Sequence, residues 1–229
     1  MPRTKQEPLA RFYNEESEIL EIGVDEAGRG PMFGRVYTAA VILPKDDIFE
    51  YDKMKDSKKF SSHKKITEVA EHIKECALAW SVTYKDESVI DKINIRQSVL
   101  SSMHNSIKNV IESTSNIGDN NDYFLLVDGN DFKPYMRYDQ EHDILLPLKH
   151  VCIEGGDNKY CAIAAASILA KTERDKYIQD LCDEYPDLKQ KYGIDKNKGY
   201  GTKLHIDGIK EHGITKWHRK TYGLCKKYC

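Results

Sequence analysis

The 229-residue sequence has no apolar run near the roughly 20 residues that a membrane-spanning helix needs. Its longest candidate, 161–170, is too short and includes Ser167. The opening residues, MPRTKQE, lack the apolar segment of a secretory signal peptide. We therefore expect an intracellular, cytoplasmic protein that does not bind a membrane.

The six cysteines, at positions 76, 152, 161, 182, 225 and 229, include no C-x-x-C pair. Cys225 and Cys229 lie four apart, but no second pair is present to complete a zinc site. In a reducing compartment such thiols are usually buried or idle. The sequence also lacks a G-x-x-x-x-G-K-[ST] loop, which argues against a P-loop phosphotransferase, and no serine lies on a nucleophile elbow.

The charges are unevenly distributed along the chain, although the net charge is only −2. Residues 191–229 contain ten lysines and arginines and three acids, which gives +7 and leaves −9 on residues 1–190. This split indicates a basic region that meets a polyanion, or a solvated lysine-rich face. Within it, 214–222 interleaves cations with rings. That pattern suits phosphates and bases, or a helix end whose rings pack into the core.

The chain is organised around IGVDEAGRGP (22–31), which lies between two apolar, β-prone stretches. We interpret it as a strand (19–25), a sharp glycine turn and a second strand (36–43). The turn places adjacent carboxylates, Asp25 and Glu26, close to an arginine. This arrangement suits a metal ion together with a phosphate, but a hairpin whose acids face water has the same pattern.

The other periodic segments predict helices between strands, as in a mixed sheet. The predicted strands are Ala77–Tyr84, Tyr123–Val127 and Pro147–Ile153. The predicted helices are 63–75, capped by Ser61 or Ser62, one or two helices in 86–112, and the segments 160–181 and 203–212. Residues 1–18 are interpreted as a loose arm or a short helix, and 196–202 as a basic glycine loop with an exposed tyrosine.

Four acids lie at the ends of apolar segments, each beside a glycine or just past one: Asp25, Glu26, Asp128 and Asp157. An all-oxygen ligand set selects Mg²⁺ or Mn²⁺ over zinc. A carboxylate cluster with two such ions is one route to phosphodiester hydrolysis. Two of the acids also have structural interpretations, since Asp128 fits an ordinary Asp-Gly turn and Asp157 fits the N-cap of the helix that follows it.

Five segments of the chain resemble the ribonuclease HII family, the type 2 ribonucleases H, and they occur in the family's order. The segments are GVDEAGRGPMFG (23–34), DSKKFSS (56–62), LLVDGN (125–130), GGDNKYCAIAAASILAKTERD (155–175) and YGIDKNKGYGTKLHIDGIKEHGITKWHRKTY (192–222). The acidic glycine segment alone would be only suggestive. Five segments in order, spanning nearly the whole chain, make the resemblance specific.

The resemblance implies an α/β, ribonuclease H-like fold with a mixed central sheet flanked by helices. An N-terminal arm (1–18) would precede a catalytic domain (19–182) and a basic C-terminal helical region (183–229) that binds substrate over the active-site groove. The implied activity is endonucleolytic hydrolysis of RNA in RNA–DNA hybrids, and nicking 5′ of ribonucleotides embedded in duplex DNA. Two Mg²⁺ or Mn²⁺ ions would take part, and the products would carry 3′-hydroxyl and 5′-phosphate ends.

The resemblance also implies roles for individual residues, matched motif by motif. Four acids would bind the metal ions and carry catalysis: Asp25, Glu26, Asp128 and Asp157. Three residues would form the loop that senses the 2′-hydroxyl through its backbone: Gly28, Arg29 and Gly30. Tyr200 would stack on the sugar at the RNA–DNA junction. Three residues would contact phosphates: Lys58, Ser167 and Lys171.

Two positions depart from the family, which commonly has a proline in place of Arg35 and a smaller residue in place of Phe33. Both positions follow the loop that would sense the 2′-hydroxyl, so the sequence does not predict which substrate this protein prefers. Segment 139–143 has no assigned role, and the C-terminus shows no familiar sliding-clamp motif. The other functional hypothesis is a nucleic-acid-binding subunit without catalysis on the same fold, against which the four acids argue. No feature demands a dimer, so a monomer is expected.

Overall fold

The structure is a computed structural model that describes residues 8–14, 19–115, 122–139 and 142–229. These ranges contain seven strands: β1 (Ile19–Ala27), β2 (Val36–Ile42), β3 (Ala79–Lys85), β4 (Asp122–Asp128), β5 (Met136–Asp139), β6 (Ile144–Pro147) and β7 (Lys149–Ile153). They also contain six α-helices: α1 (His63–Cys76), α2 (Glu87–Ser113), α3 (Cys161–Glu184), α4 (Asp187–Tyr192), α5 (Ile194–Asn197) and α6 (Lys203–His212). None of the helices in the described ranges is long and apolar enough to cross a membrane.

Five of the strands form one sheet in the order β3-β2-β1-β4-β7. β1 pairs antiparallel with β2 and parallel with β4, and β4 pairs parallel with β7. The sheet is therefore mixed and flanked by helices, which confirms the predicted α/β class. β5 and β6 form a separate two-stranded hairpin.

Helices cover both faces of the sheet because its central strands are apolar on both sides. Val41 and Tyr37 of β2 pack with α1 and α3, whereas Val24 and Leu125 pack with α2. Gly23 explains how closely α3 approaches β1: a Cβ built on it would lie 2.1 Å from the carbonyl carbon of Ala162. This contact fixes the start of α3 beside the middle of β1.

Most predicted elements are confirmed with small shifts in their ends, and two differ in detail. The prediction of one or two helices in 86–112 is confirmed: α2 consists of two helical stretches joined by a kink at Asn94, which has a φ of 65° and accepts a hydrogen bond from the Gln97 backbone. Segment 147–153 is not one strand, because Pro147 ends β6 opposite Met136 and β7 begins only at Lys149. The predicted loop at 196–202 begins inside the short helix α5.

The described part of the N-terminal arm, 8–14, is neither helical nor detached. Ala10 donates its N–H to the carbonyl of Lys159 and accepts from the N–H of Cys161. These bonds tie the arm to the start of α3. The rest of the predicted arm lies outside the described residues, as do positions 140–141 of the unassigned acidic segment.

Residues 183–229 pack on the end of α3 through a third cluster, here called the C-terminal core. Its buried members include Phe33, Ile178, Leu188, Ile194 and Ile209. Because Phe33 comes from the β1–β2 connection, this core joins the C-terminal helices to the glycine turn that organises the chain. The turn thus lies between the sheet and the C-terminal region, with Arg29 and Gly30 exposed.

Candidate active site

Two of the predicted acids end neighbouring parallel strands. The register pairs Val24 of β1 with Val127 of β4, so Asp25 and Asp128 follow at equivalent positions. Side chains alternate between the faces of a strand, and both valines face α2. Asp25 and Asp128 therefore lie on the α3 face, at the carboxyl ends of two adjacent parallel strands.

Asp157 reaches the same place from a 3₁₀ turn, Gly156–Asn158. Gly155 begins this turn with a φ of 63°, and the N–H of Gly156 donates to Asp128 Oδ1 at 2.7 Å. The N-cap residue of α3 is Tyr160, so the N-cap interpretation of Asp157 is wrong. The turn instead places the Asp157 carboxylate beside the strand-end acids.

All eleven residues predicted from the sequence line one cavity of about 470 Å³. The four acids are at the end of the sheet, and the glycine loop and Tyr200 form another part of the wall. Lys58, Ser167 and Lys171 complete the predicted set. Segments that are far apart in the sequence therefore converge on a single site, although their chemical roles remain predictions.

The acids of this cavity are in an environment that disfavours their combined negative charge. Burial, followed by repulsion from Glu26 and Asp128, raises the pKa of Asp25 well above its ordinary value. Burial also raises the pKa of Glu26, against the opposing effect of Arg29, whose Nη1 lies 3.6 Å from Glu26 Oε1. The pKa of Asp157 is raised by burial and then by Asp56 and Asp128. A cation at this position would relieve the repulsion.

The chemistry of the site fits a hard divalent cation, because its potential ligands are carboxylate oxygens. Within the described residues, no three His, Cys, Asp or Glu side chains are already gathered as metal ligands. The fit therefore rests on the shared cavity and on the burial and mutual repulsion of the acids. Asp25, Glu26, Asp128 and Asp157 are the residues that would hold the ions.

Hydrogen bonds connect the acids to the surrounding segments. Ser167 on α3 bonds to Asp25 and lies 3.1 Å from the hydroxyl oxygen of Ser57. Asn158 donates its side-chain amide to Asp56 and to Asp157. The carboxylate of buried Asp56 also accepts from the Lys58 N–H. The segment that carries exposed Lys58 is thus fixed to the turn that carries Asp157.

Tyr200 lies opposite the glycine loop. Its side chain is 51% exposed, and a Cβ built on Gly30 would meet its ring at 3.4 Å. The two segments are joined by a backbone hydrogen bond from Met32 N to Gly199 O. The ring therefore forms part of the cavity wall and is free on one side to contact a ligand.

Several residues of the cavity were not singled out from the sequence: Ser57, Arg174, Asp175, Lys196, Asn197 and Lys198. Helical spacing would have found two of them, because Arg174 and Asp175 follow Ser167 by seven and eight positions on one face of α3. Asp175 also forms an ion pair with Lys171, whose Nζ lies 2.9 Å from Asp175 Oδ2. Lys196 and Lys198 lie in the basic glycine loop, so the lysines that line the cavity come from three segments: the one that carries Lys58, α3 and this loop.

Arg174 is almost fully buried and joins the two loops of the cavity. Its guanidinium donates to the carbonyls of Lys198 at 2.8 Å and of Arg35 at 3.3 Å. Burial lowers its pKa from the ordinary value. The guanidinium also donates to the Phe33 carbonyl at 3.4 Å. Because all three partners are backbone oxygens, this arginine fixes the position of the loops relative to each other.

The two departures from the family pattern have structural neighbours outside the cavity. Phe33 is fully buried and packs edge-on against His218. Arg35 lies between the rings of Tyr84 and Tyr177, with its guanidinium carbon 4.1 and 4.4 Å from their centroids. These cation–π contacts hold the Arg35 side chain against β3 and α3, and it does not line the cavity.

The rings of the basic and aromatic segment 214–222 are buried or partly buried, as its core interpretation expected, whereas Lys216 and Lys220 are exposed. His218 and Arg219 are buried, and Trp217 packs against Tyr185. His218 accepts from the Thr215 N–H through Nδ1, so its Nε2 carries the proton and donates to His205 Nε2 at 3.1 Å. His205 then donates from Nδ1 to the Tyr200 carbonyl. This chain of bonds requires two neutral histidines.

We expect the buried histidine pair to make the protein less stable in acid. Burial, reinforced by His205, lowers the pKa of His218 to about 3, whereas a histidine in the unfolded chain titrates near 6.5. Below that pH the unfolded chain binds a proton that the folded chain excludes, so the stability present above pH 6.5 is lost as the pH falls. At pH 5 the loss would be about 2 kcal/mol.

Thermal melts of the wild type and of His218→Asn between pH 7.5 and 5 would measure this effect. The variant should start less stable but decline less with falling pH, since asparagine does not titrate. Exposed His63, replaced by Asn, is the matched control. Equal declines in the wild type and in His218→Asn would contradict the expectation. The raised pKa values of the cavity acids make the folded state more stable as the pH falls. This effect is the same in the wild type and in His218→Asn, so it cancels when their declines are compared.

The chain is similar over most of its length to the family that its five segments resemble. The chain matches the model of the family Ribonuclease HII over residues 22–225. It is 41% identical over 209 residues to the ribonuclease HII of Parabacteroides distasonis, and the match covers 91% of this chain and 92% of that protein.

Solved structures show a similar fold. The ribonuclease H2 of Pyrococcus horikoshii superposes with a TM-score of 0.70 at 19% identity, covering 92% of this chain and 97% of that one. Bst-RNase HIII, in its complex with Mn²⁺, superposes with a TM-score of 0.61 at 19% identity, covering 93% and 70%. At these identities the structures establish the likeness of the fold.

Proposed function

Because the chain belongs to the ribonuclease HII family and is thus a ribonuclease H, we propose that it nicks nucleic-acid duplexes at ribonucleotides by two-metal-ion catalysis. The substrates are the RNA strand of RNA–DNA hybrids and single ribonucleotides embedded in duplex DNA. Cleavage on the 5′ side of the ribonucleotide leaves 3′-hydroxyl and 5′-phosphate ends. We place this activity inside the cell, as the sequence predicts.

One observation carries this proposal: four carboxylates from three separate segments line one cavity beside a glycine loop. Divalent ions, Mg²⁺ or Mn²⁺, would activate the attacking water and stabilise the leaving oxygen. The Mn²⁺ complex of Bst-RNase HIII is a precedent for such an ion on this fold. Asp25 and Asp128 are held on adjacent strands, so their oxygens are positioned before any ligand arrives.

The Gly28-Arg29-Gly30 loop and Tyr200 would recognise the sugar. Distinguishing RNA from DNA depends on the 2′-hydroxyl, and close approach of a backbone to it needs residues without bulky side chains. The exposed face of Tyr200 would stack on the neighbouring deoxyribose, where an extra hydroxyl would interfere. This pairing would select a junction between a ribonucleotide and the DNA that follows it.

Phosphates would be bound by cations that line the cavity. Lys58, Lys171 and the hydroxyl of Ser167 are among the lining groups, and the basic loop contributes Lys196 and Lys198. The loop belongs to residues 183–229, which would act as the substrate-binding region over the groove. One chain supplies every residue of this site, so a monomer is sufficient.

A non-catalytic binding subunit is the alternative. Such a protein would have no use for acids whose burial and mutual repulsion raise the pKa of Asp25, because these groups repel phosphates as well as each other. The acid cluster therefore favours an enzyme that binds cations.

The decisive test is cleavage of a labelled DNA duplex that contains one ribonucleotide. We expect nicking on its 5′ side with Mg²⁺ or Mn²⁺, none with chelator, and none on the matched all-deoxy duplex. Extension of the nick by a DNA polymerase would identify the 3′-hydroxyl. Tyr200→Ala should weaken cleavage with little change in Tm, because the ring is half exposed, whereas Tyr200→Phe keeps the ring and serves as its control.

Other results would change the proposal in defined ways. Cutting of a long RNA–DNA hybrid without nicking at the single ribonucleotide would retain the nuclease and remove the junction preference. Binding of both duplexes without cutting of either would favour the non-catalytic subunit.

A further inference from the structure

Arg219 is the largest fully buried side chain of the structure's described residues, and it carries a charge. Burial lowers its pKa to about 10, which still leaves it protonated at neutral pH. Enclosing a guanidinium is costly unless its donors are satisfied. The cost indicates that this position needs the donor geometry of arginine and not merely its volume.

The donors of Arg219 are directed at one segment, the glycine loop and the residues just after it. Nη2 donates to the Gly28 carbonyl at 2.7 Å, and Nη1 donates to the carbonyls of Arg29 at 3.1 Å and Pro31 at 2.8 Å. Nε donates to the Gly34 carbonyl at 2.9 Å. The segment is therefore wrapped around the planar guanidinium. A shorter or more flexible cation could not make the same set of hydrogen bonds.

These bonds determine which way the other side of the loop faces. In a trans peptide the carbonyl and the following N–H point in opposite directions. With the carbonyls of Gly28 and Arg29 turned towards Arg219, the N–H groups of Arg29 and Gly30 point away from it. Both residues line the cavity, so the buried arginine sets the direction of backbone donors beside the candidate substrate site.

The segment that carries Arg219 is itself fixed from two sides. The carboxylate of Asp91 on α2 accepts from the backbone N–H groups of Lys220 and Thr221, both at 2.9 Å. On the other side, the Tyr222 hydroxyl donates to the Arg29 carbonyl at 3.0 Å. The guanidinium is thus held between a helix of the catalytic domain and the loop that it orients.

We propose that Arg219 is a positioning residue for ribonucleotide selectivity, which holds the glycine loop so that its backbone donors meet the sugar 2′-hydroxyl. The inference rests on the proposed function of this cavity. The sequence alone relates residues 218–222 to phosphate binding or to the core. The proposal instead gives them the role of supporting the loop that recognises the sugar. Arg219 does not itself touch the substrate in this arrangement.

The test measures binding of two duplexes that differ in one hydroxyl. Dissociation constants are compared, with Ca²⁺ as the ion, for a duplex with one ribonucleotide and for its all-deoxy counterpart. Arg219→Lys keeps the charge but loses the planar fork, so the preference for the ribonucleotide duplex should fall about tenfold, as expected for lost charged hydrogen bonds. Affinity for the all-deoxy duplex should remain unchanged, and Arg96→Lys, on an exposed ion pair, is the matched control.

Tyr222→Phe provides an independent test should Arg219→Lys fail to fold, because it removes only the hydroxyl that donates to Arg29. Its preference should fall in the same direction, by roughly twofold to fivefold for one hydrogen bond. Retention of the wild-type preference in the folded variants would overturn the inference, as would an equal loss of affinity for both duplexes. A wild type without any preference or cleavage would instead contradict the proposed function itself.

Discussion

Replacing Asp25 by Asn is expected to abolish cleavage and, in the absence of metal, to make the protein more stable. The lost carboxylate is a proposed metal ligand, so the rate should fall on the order of a thousandfold or more. Burial, followed by repulsion from Glu26 and Asp128, raises the pKa of the same carboxylate. Removing its charge therefore relieves the folded state.

The fold should tolerate this change because the side chains have the same shape. Oδ1 of Asp25 accepts from the Glu26 N–H at 2.7 Å, and an asparagine oxygen can make the same bond. For a chain of this size, each kcal/mol of relief raises Tm by about 2–4 °C. Added Mg²⁺ should reverse the order, because it stabilises the wild type by binding the folded state and has a weaker site in the variant.

Thermal melts with chelator and with Mg²⁺, alongside cleavage rates, would measure both effects. Asp187→Asn is the control, since this exposed acid pairs with Lys191 and neither residue lines the cavity. A variant that loses activity but melts below the wild type in chelator would contradict the repulsion argument. A variant that cleaves normally would remove Asp25 from the metal site. A variant that is more stable but less active indicates that the wild type retains the charged group for its function, at a cost in stability.

The positions of the acids could be predicted because they depend on local sequence. The apolar runs before Asp25 and Asp128 predict strands, and the equivalent edges of parallel strands meet in space. The sequence left open whether Asp157 caps a helix, because an acid before a helix has the same pattern in both cases. Only the turn at 155–158 and the separate N-cap, Tyr160, decide between them.

The buried arginines could not be predicted from the sequence. Arg219 lies among cations and rings, a composition typical of an exposed basic surface, and its partners are backbone carbonyls about 190 positions away. Carbonyls leave no trace in residue type, so no spacing or composition reveals such a bond. The same reason hides Arg174, although it lies within a recognised segment. Structure is needed wherever a side chain binds a distant backbone.

Replacing Gly28 by Ala is expected to reduce cleavage roughly a hundredfold or more, the scale of a misplacement of about 1 Å at a reacting centre. Gly28 has a φ of +92°, which costs a residue with a side chain about 1–2 kcal/mol. In addition, the new Cβ would lie 2.1 Å from Arg174 Nε and 3.0 Å from the Arg35 carbonyl. One of these groups must move.

Arg174 cannot move freely, because it is 3% exposed and its guanidinium holds the Lys198 carbonyl. Displacing it would separate the glycine loop from the segment that carries Tyr200. The expected loss therefore concerns the alignment of sugar recognition with the acids. It should appear mainly in the rate of cleavage, with a smaller effect on general affinity for duplex DNA.

Gly213→Ala separates backbone strain from this clash. Gly213 has a φ of +77° at the end of α6, and a Cβ built on it meets no atom within 4 Å. Both variants pay a backbone cost and should melt below the wild type, but only Gly28→Ala should lose cleavage of the ribonucleotide duplex. If Gly28→Ala cleaves as well as Gly213→Ala, then the contact between Gly28 and Arg174 is not what aligns the site. If both lose cleavage in proportion to their stability, strain alone accounts for the requirement for glycine.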